Sequence, residues 1–285
     1  MKQRIITALI LAPAVILGIF KLPLALFMLA VAMVTFLGYW EWTQLVESKT
    51  RLLALIPSVA ISAVTLAVIP FDARSLNLIT DAHILVLLVG SLWWVISSCL
   101  VLSFPRSAKL WQHCNWLRHL SGVLTLLPFF WSVLLLRAEG IYEDSYYGAK
   151  LVLFVCFIVW AADSGAYFCG KSFGKRKMAP HVSPNKTIEG LIGGMVTAIL
   201  VGWGTAVWFD IEFSNSFSMV IITLVTVVIS VMGDLVESMF KRVSGIKDSG
   251  NILPGHGGIL DRVDSLTAAF PVFTLLYFIF KHSLP

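Results

Sequence analysis

Apolar residues fall into nine long runs, at roughly 5–20, 22–40, 52–70, 82–103, 119–136, 149–169, 188–209, 217–240 and 265–281, parted by short segments holding charge, Pro or Gly. Crossing a hydrocarbon core about 30 Å thick takes about 20 residues of helix, and each run approaches or reaches that length. The pattern predicts an all-α, polytopic integral membrane protein with eight or nine transmembrane helices and a polar cavity facing the cytoplasm. The number turns on the first run, which is short, contains Pro13 and ends near Pro23, so that it can tilt, re-enter or merge with the second. Lys2 and Arg4 ahead of Ile5 to Phe20 have the layout of a secretory signal, yet further apolar runs follow at once, and a retained first helix is expected.

At 58% hydrophobic and 13% charged residues, with a mean hydropathy of +0.87, the chain lies far from soluble domains, which are about 45–50% apolar and about 25% charged. Little of its 285 residues is left for a soluble module, so one transmembrane domain is expected over 1–285. A net charge of +5 would suit nucleic acid, but cytoplasmic loops of membrane proteins need the same excess, and no nucleic-acid partner is expected. With a cytoplasmic N-terminus and nine crossings, sixteen of the 21 Lys and Arg residues fall on the cytoplasmic side; Lys21, Arg74, Arg137, Lys150 and Lys281 fall on the other. That bias puts the connections near 170–187 and 241–264 together in the cytoplasm. Cys99, Cys114, Cys156 and Cys169 form no CxxC pair and read as apolar fillers, indicating neither zinc nor disulfides. No internal repeat appears, and residues 1–150 hold chiefly apolar spans with Trp and Tyr near their ends, as interfacial anchors. They are expected to be mainly structural, with the catalytic helices and loops in 151–285.

The charge this chain does carry gathers in two clusters. One holds Asp234, Glu237, Ser238, Lys241 and Arg242, then Lys247 and Asp248, then Gly255-His256-Gly257-Gly258, then Asp261-Arg262-Val263-Asp264. On a helix Asp234, Glu237 and Lys241 share one stripe, and Asp261 and Asp264 repeat the i, i+3 spacing at the start of the ninth helix. Solvated helix ends would account for single members, with acids at an N-terminus and bases at a C-terminus. They leave unexplained a His among three glycines, followed by an Arg between two Asps; glycines let a backbone present N–H groups closely to an anion.

The other cluster runs from Asp163 through Gly170-Lys171-Ser172 and Lys175-Arg176-Lys177 to Ser183-Pro184-Asn185-Lys186-Thr187-Ile188-Glu189-Gly190. Ser183 has the makings of an N-cap for the seventh helix, the basic triplet reads as topogenic, and the Gly190/Gly194 GxxxG reads as helix packing. Asp163 within an apolar run points to function. Gly165 to Ser172 fits GxxxxGK[ST], but that pattern cradles phosphate only between a strand and a helix, and here it ends a spanning helix. Asn185-Lys186-Thr187 is a glycosylation sequon on the cytoplasmic side, where it goes unused. Carboxylates alone suggest a metal and bases alone a phosphate. Both together point to a metal–polyphosphate and so to a Mg²⁺–nucleotide, since Mg²⁺ takes one or two carboxylates, waters and phosphate oxygens.

From Ser238 to Asp264 the order S-x-x-K-R-x4-K-D-x-G-x2-L-P-x-H-G-G-x-x-D-R-x-D resembles the signature of bacterial membrane phosphatidate cytidylyltransferases (CDP-diacylglycerol synthases). The DSGAY segment from Asp163 and the SPNKTIEG segment from Ser183 resemble a second region of that family, so the likeness covers about residues 160–265 by motif and the rest by hydropathy. The resemblance implies CTP and phosphatidic acid as substrates, CDP-diacylglycerol and pyrophosphate as products, and Mg²⁺ dependence; whether a second cation shares the site stays open. It also implies a homodimer, multi-pass in the bacterial inner (plasma) membrane, with the active site toward the cytoplasm. The metal candidates are Asp234, Glu237, Asp261 and Asp264, and the catalytic candidates Asp234, Lys241, His256, Asp261, Arg262 and Asp264. Substrate-binding candidates are Asp163, Lys171, Ser183, Asn185, Lys186 and Glu189 in one cluster, and Ser238, Arg242, Lys247, Asp248, Gly257 and Gly258 in the other. A membrane transporter would share the intramembrane acids but has no need of a GHGGxxDRxD turn. A CDP-alcohol phosphatidyltransferase would carry DGxxAR…GxxxDxxxD, which is absent. A CTP-dependent lipid or polyprenol kinase would release CDP instead of pyrophosphate.

Nine crossings from a cytoplasmic start leave the C-terminus on the far side. A fluorescent protein that matures only in the cytoplasm, fused after Pro285, should stay dark; bright fusions would require an even number of crossings.

Overall fold

The computed structural model describes residues 2–282 apart from 47, 49, 254 and 256. In chain order the helices are α1 (Lys2–Lys21), α2 (Leu24–Trp42), α3 (Arg51–Val68), α4 (Ala73–Leu78), α5 (Asp81–Leu102), α6 (Ala108–Trp111), α7 (Asn115–Ala138), α8 (Tyr147–Phe173), α9 (Ile188–Phe209), α10 (Ser216–Val243) and α11 (Leu260–His282). All nine apolar runs are helical, and α4 and α6 are short pieces between them. Among the described residues eight helices are long and apolar enough to cross a membrane, and Leu11–Lys21 of α1 adds a shorter apolar stretch. The chain is thus a polytopic all-α membrane protein.

Where structure and hydropathy differ, they differ at the polar ends. Helix α8 runs on to Phe173 and α11 begins at Leu260, five residues before its apolar run, so Asp261 and Asp264 lie in the first turns of a helix already formed. Hydropathy stops at the first charges, whereas the i→i−4 ladder continues through them. Between α8 and α9 the chain forms a hairpin of β1 (Lys177–Ala179) and β2 (Ser183–Thr187), antiparallel with Lys177 opposite Thr187 and Ala179 opposite Ser183. Strands of three and five residues, one holding Pro184, are too short to show an alternating pattern. The N-cap of α9 is Thr187, whose Oγ1 accepts the Gly190 N–H at 3.1 Å. Ser183, a candidate for that cap, lies four residues earlier in β2.

Helices α7, α8, α10 and α11 form the centre, where Trp131, Leu134, Phe154, Phe240 and Phe273 are sealed from outside. Helix α3 is peripheral, burying only Ala54, Leu55 and Ser58. At one end of the bundle Arg137 donates from Nε to the Ile19 carbonyl at 3.0 Å and from its other nitrogens to Leu22 and Ser145 at 3.5 Å, serving carbonyls left over where α1 stops. Lys281 pairs with Glu139 at the same end. The ends of α2, α8 and α10 and the starts of α9 and α11 gather at the opposite end.

Helices α8 and α9 pack closely on one another through small residues. A Cβ on Gly194 would stand 2.7 Å from the Ala162 carbonyl, and one on Gly190 2.8 Å from that of Ala166, so the GxxxG serves packing, as its spacing predicts. Gly204 on the same helix faces open space. Gly194→Leu should lower the melting temperature of detergent-purified protein by an overpacking cost of about 1–3 kcal/mol, while Gly204→Ala should leave it nearly unchanged; equal melting curves for the two would remove the close contact.

Candidate active site

The lower part of α10 carries the first cluster on one stripe. Lys241 Nζ lies 3.0 Å from Glu237 Oε1, one turn back, and 2.7 Å from Asp261 Oδ1 on α11. All three side chains are less than 10% exposed, at 9%, 5% and 7% for Lys241, Glu237 and Asp261. Asp261 also accepts the Ser249 N–H on both oxygens, at 3.1 and 2.9 Å, and the Gly258 N–H at 2.8 Å. It therefore folds the segment between α10 and α11 around itself. The turn closes where Leu253 N–H meets the Gly257 carbonyl at 2.9 Å, and Gly257 has φ +84°, a conformation that favours glycine. A Cβ on Gly258 would collide with Ser249 and with the carboxylate of Glu41.

Asp264, one turn further along α11, accepts the Ser265 N–H at 2.8 Å and lies within electrostatic reach of Asp234 and Glu237. Gly233 lets the two helices meet here, since a Cβ on it would be 2.9 Å from the Asp264 carbonyl. Asp234 receives the Ser238 hydroxyl at 3.3 Å and forms an ion pair with Lys186, Nζ to Oδ2 2.6 Å. Lys186 belongs to the second cluster. That pair joins the two clusters, a juxtaposition no spacing rule could supply.

Lys186 also donates to the Val231 carbonyl at 3.3 Å and lines a cavity of about 350 Å³ with Asp163, Ser183, Asn185, Gly190 and Asp234. Tyr167, Met178, Leu191 and Val231 form its apolar wall. Asp163 feels the charges of Lys186 and Asp234 across this space. Five acids, Asp163, Asp234, Glu237, Asp261 and Asp264, thus share an interior with two ammonium groups, Lys186 and Lys241. Glu237 Oε2 is buried with no hydrogen-bond partner among the described residues.

Other predicted residues stand elsewhere. Glu189 accepts the backbone N–H groups of Lys175 and Arg176 at 3.0 and 3.1 Å and the Arg176 side chain at 2.9 Å, bracing the turn after α8. Lys171 is exposed with its ammonium 6.0 Å from the Tyr167 ring centre, and does not line the cavity. Arg242 donates to the Val182 carbonyl at 3.3 Å, tying α10 to the hairpin turn. Lys247, Asp248 and Arg262 are exposed, and His256 lies outside the described residues.

The sequence reading missed Glu41. This residue, 1% exposed at the end of α2, reaches the signature turn and the start of α11. The signal was present, an acid directly after an apolar run that ends near residue 40. Its neighbours Trp40 and Trp42 made the segment look like an interfacial belt.

The chain matches the cytidylyltransferase family over residues 2–280. It is 43% identical to a phosphatidate cytidylyltransferase of Haemophilus influenzae, over 98% of this chain and 99% of the relative. The phosphatidate cytidylyltransferase of Pseudomonas aeruginosa is 41% identical over 97% of this chain and 96% of its own length. That of Bacillus subtilis is 48% identical over 136 residues, about half of either chain. A likeness that runs from end to end, on a fold that joins the two polar clusters through the Lys186–Asp234 pair, establishes that the chain belongs to the cytidylyltransferase family.

Proposed function

We propose that the chain acts as a phosphatidate cytidylyltransferase: a phosphate oxygen of phosphatidic acid attacks the α-phosphorus of CTP, pyrophosphate leaves, and CDP-diacylglycerol forms. The observation that carries this reading is the near full-length identity to two enzymes of that name. The site suits it. The acceptor phosphate is already an anion near pH 7, so alignment and charge neutralisation matter more than a strong general base. The cavity beside Lys186 is lined by apolar and polar side chains together, which suits a lipid headgroup arriving from the bilayer. Lys186, with Ser183 and Asn185, is the candidate for the lipid phosphate, and Arg262 and His256 for the nucleotide. Lys241, held between two carboxylates, keeps the acids of α10 and α11 together.

A divalent cation fits the donor set: five acids face two ammonium groups, and a buried Glu237 oxygen has no partner among the described residues. No three of the described carboxylates stand assembled as a cage. Mg²⁺ does not need one, since it is usually held by one or two carboxylates plus water and substrate phosphate. Glu237 and Asp264 are the residues we assign to it, whereas both oxygens of Asp234 are engaged by Ser238 and Lys186, and those of Asp261 by Lys241, Ser249 and Gly258. Such an ion, when bound, supplies positive charge to bridging phosphate oxygens. The positive-inside bias supports a cytoplasmic site in the inner membrane, and we retain the homodimer as a proposal.

Purified protein should release pyrophosphate from CTP only when phosphatidate is present, lose this activity with chelator and regain it with Mg²⁺. Asp264→Asn should insert and fold yet stay inactive at any Mg²⁺ concentration, because the amide keeps the shape and removes the charge. CDP as the product would identify a kinase instead.

Lys186→Ala removes a phosphate ligand and leaves Asp234 without its ion-pair partner. The KM for phosphatidate should rise about tenfold or more, and more than the KM for CTP, with some loss of kcat. A variant weakened toward CTP alone would reassign Lys186 to the nucleotide.

A further inference from the structure

Glu41 belongs to the half of the chain that hydropathy marks as scaffold, yet each of its carboxylate oxygens is spent on the signature segment. Oε1 accepts the Ile259 N–H at 2.9 Å; Oε2 accepts the Leu260 N–H at 2.7 Å and the Ser249 hydroxyl at 2.9 Å. Two of these donors are backbone N–H groups where α11 begins, groups that have no partner within the helix and stand at its positive end. Ser249 carries the connection onward. Its hydroxyl receives the Asp261 N–H at 3.3 Å, its own N–H donates to both Asp261 oxygens, and Asp261 holds Lys241. Gln44, just beyond α2, donates to the Ser249 carbonyl at 2.6 Å.

We infer that Glu41, assisted by Gln44, is a positioning residue for the cytidylyl transfer. The chain of contacts Glu41–Ser249–Asp261–Lys241–Glu237 sets the rotation of the first turns of α11, so that Asp264 faces Asp234 across the helix contact. With its oxygens occupied by protein donors, Glu41 acts through these residues and not on substrate. The inference rests on the cytidylyltransferase reading of the site.

Kinetics and amide hydrogen exchange on detergent-purified unaltered protein, Glu41→Gln, Ser249→Ala and the double variant test it. In Glu41→Gln an NH₂ group replaces one accepting oxygen, so buried donors lose their acceptor. The kcat should fall about tenfold or more, with KM for both CTP and phosphatidate within about threefold of the unaltered values. Exchange should quicken at residues 249–261 and stay unchanged in α8 and α9. The double variant should be scarcely worse than Glu41→Gln, because both changes break one chain of contacts. Ser249→Ala keeps the carboxylate and carries the same test should Glu41→Gln not fold. Unchanged kcat, faster exchange spread over the whole bundle, or fully additive losses would each overturn the positioning role. If the unaltered protein releases no pyrophosphate while the local exchange pattern still appears, the reaction reading fails and the holding contact stands.

Discussion

The Lys241 ammonium, enclosed between Glu237 and Asp261, is the contact on which the polar end of this bundle depends. A charge at that depth is costly when alone, and removing one member of a buried pair typically costs about 3–5 kcal/mol because the other is left uncompensated. The same energetics give the pair little net stabilising value compared with apolar side chains of equal size. Its worth here is geometric. Lys241 fixes α10 to α11 at a set rotation, and Asp261, held by Lys241 on one side, gathers Ser249 and Gly258 on the other.

From that pair the rest of the site follows outward. Once α10 and α11 are fixed, Gly233 allows close approach, and Asp264 comes within reach of Asp234 and Glu237. Asp234 then extends the polar network to Lys186 on the hairpin, and the hairpin sits on the tightly packed α8–α9 pair. The small residues of α8 and α9 thus matter to the site as well as to the fold, because their contact sets where Asp163 and Lys186 meet. Five carboxyl groups and two ammonium groups thus stand together in an interior that is otherwise apolar.

In the proposed reaction two substrates of opposite habit would meet in this site. A nucleotide arrives from water and a phospholipid from the bilayer, and both bring negative charge. The cavity is lined by Leu191, Val231 and Met178 together with Lys186, Asn185 and Ser183, so apolar and polar groups share its surface. The charges are held in place: Lys186, which lines the cavity, by Asp234, and Lys241, outside its lining, by Glu237 and Asp261. Fixed charge needs less reorganisation as the reaction proceeds than mobile side chains do.

The apolar runs were legible because the bilayer imposes a single requirement, an apolar stretch of spanning length, that eight helices among the described residues each meet by themselves. The two polar clusters were legible for a related reason: charge is so rare in this chain that its location is informative. Helix ends were misplaced where polar residues continue a helix, as at Leu260, and the short hairpin was missed because three and five residues carry no periodic signal. Only the tertiary structure decided which charges meet. Lys186 pairs with Asp234, 48 positions away, and Glu41 reaches Leu260 across 219 residues of sequence. Such pairings depend on the angles and depths at which whole helices pack, set by contacts such as Gly194 on Ala162, and local sequence holds no record of them.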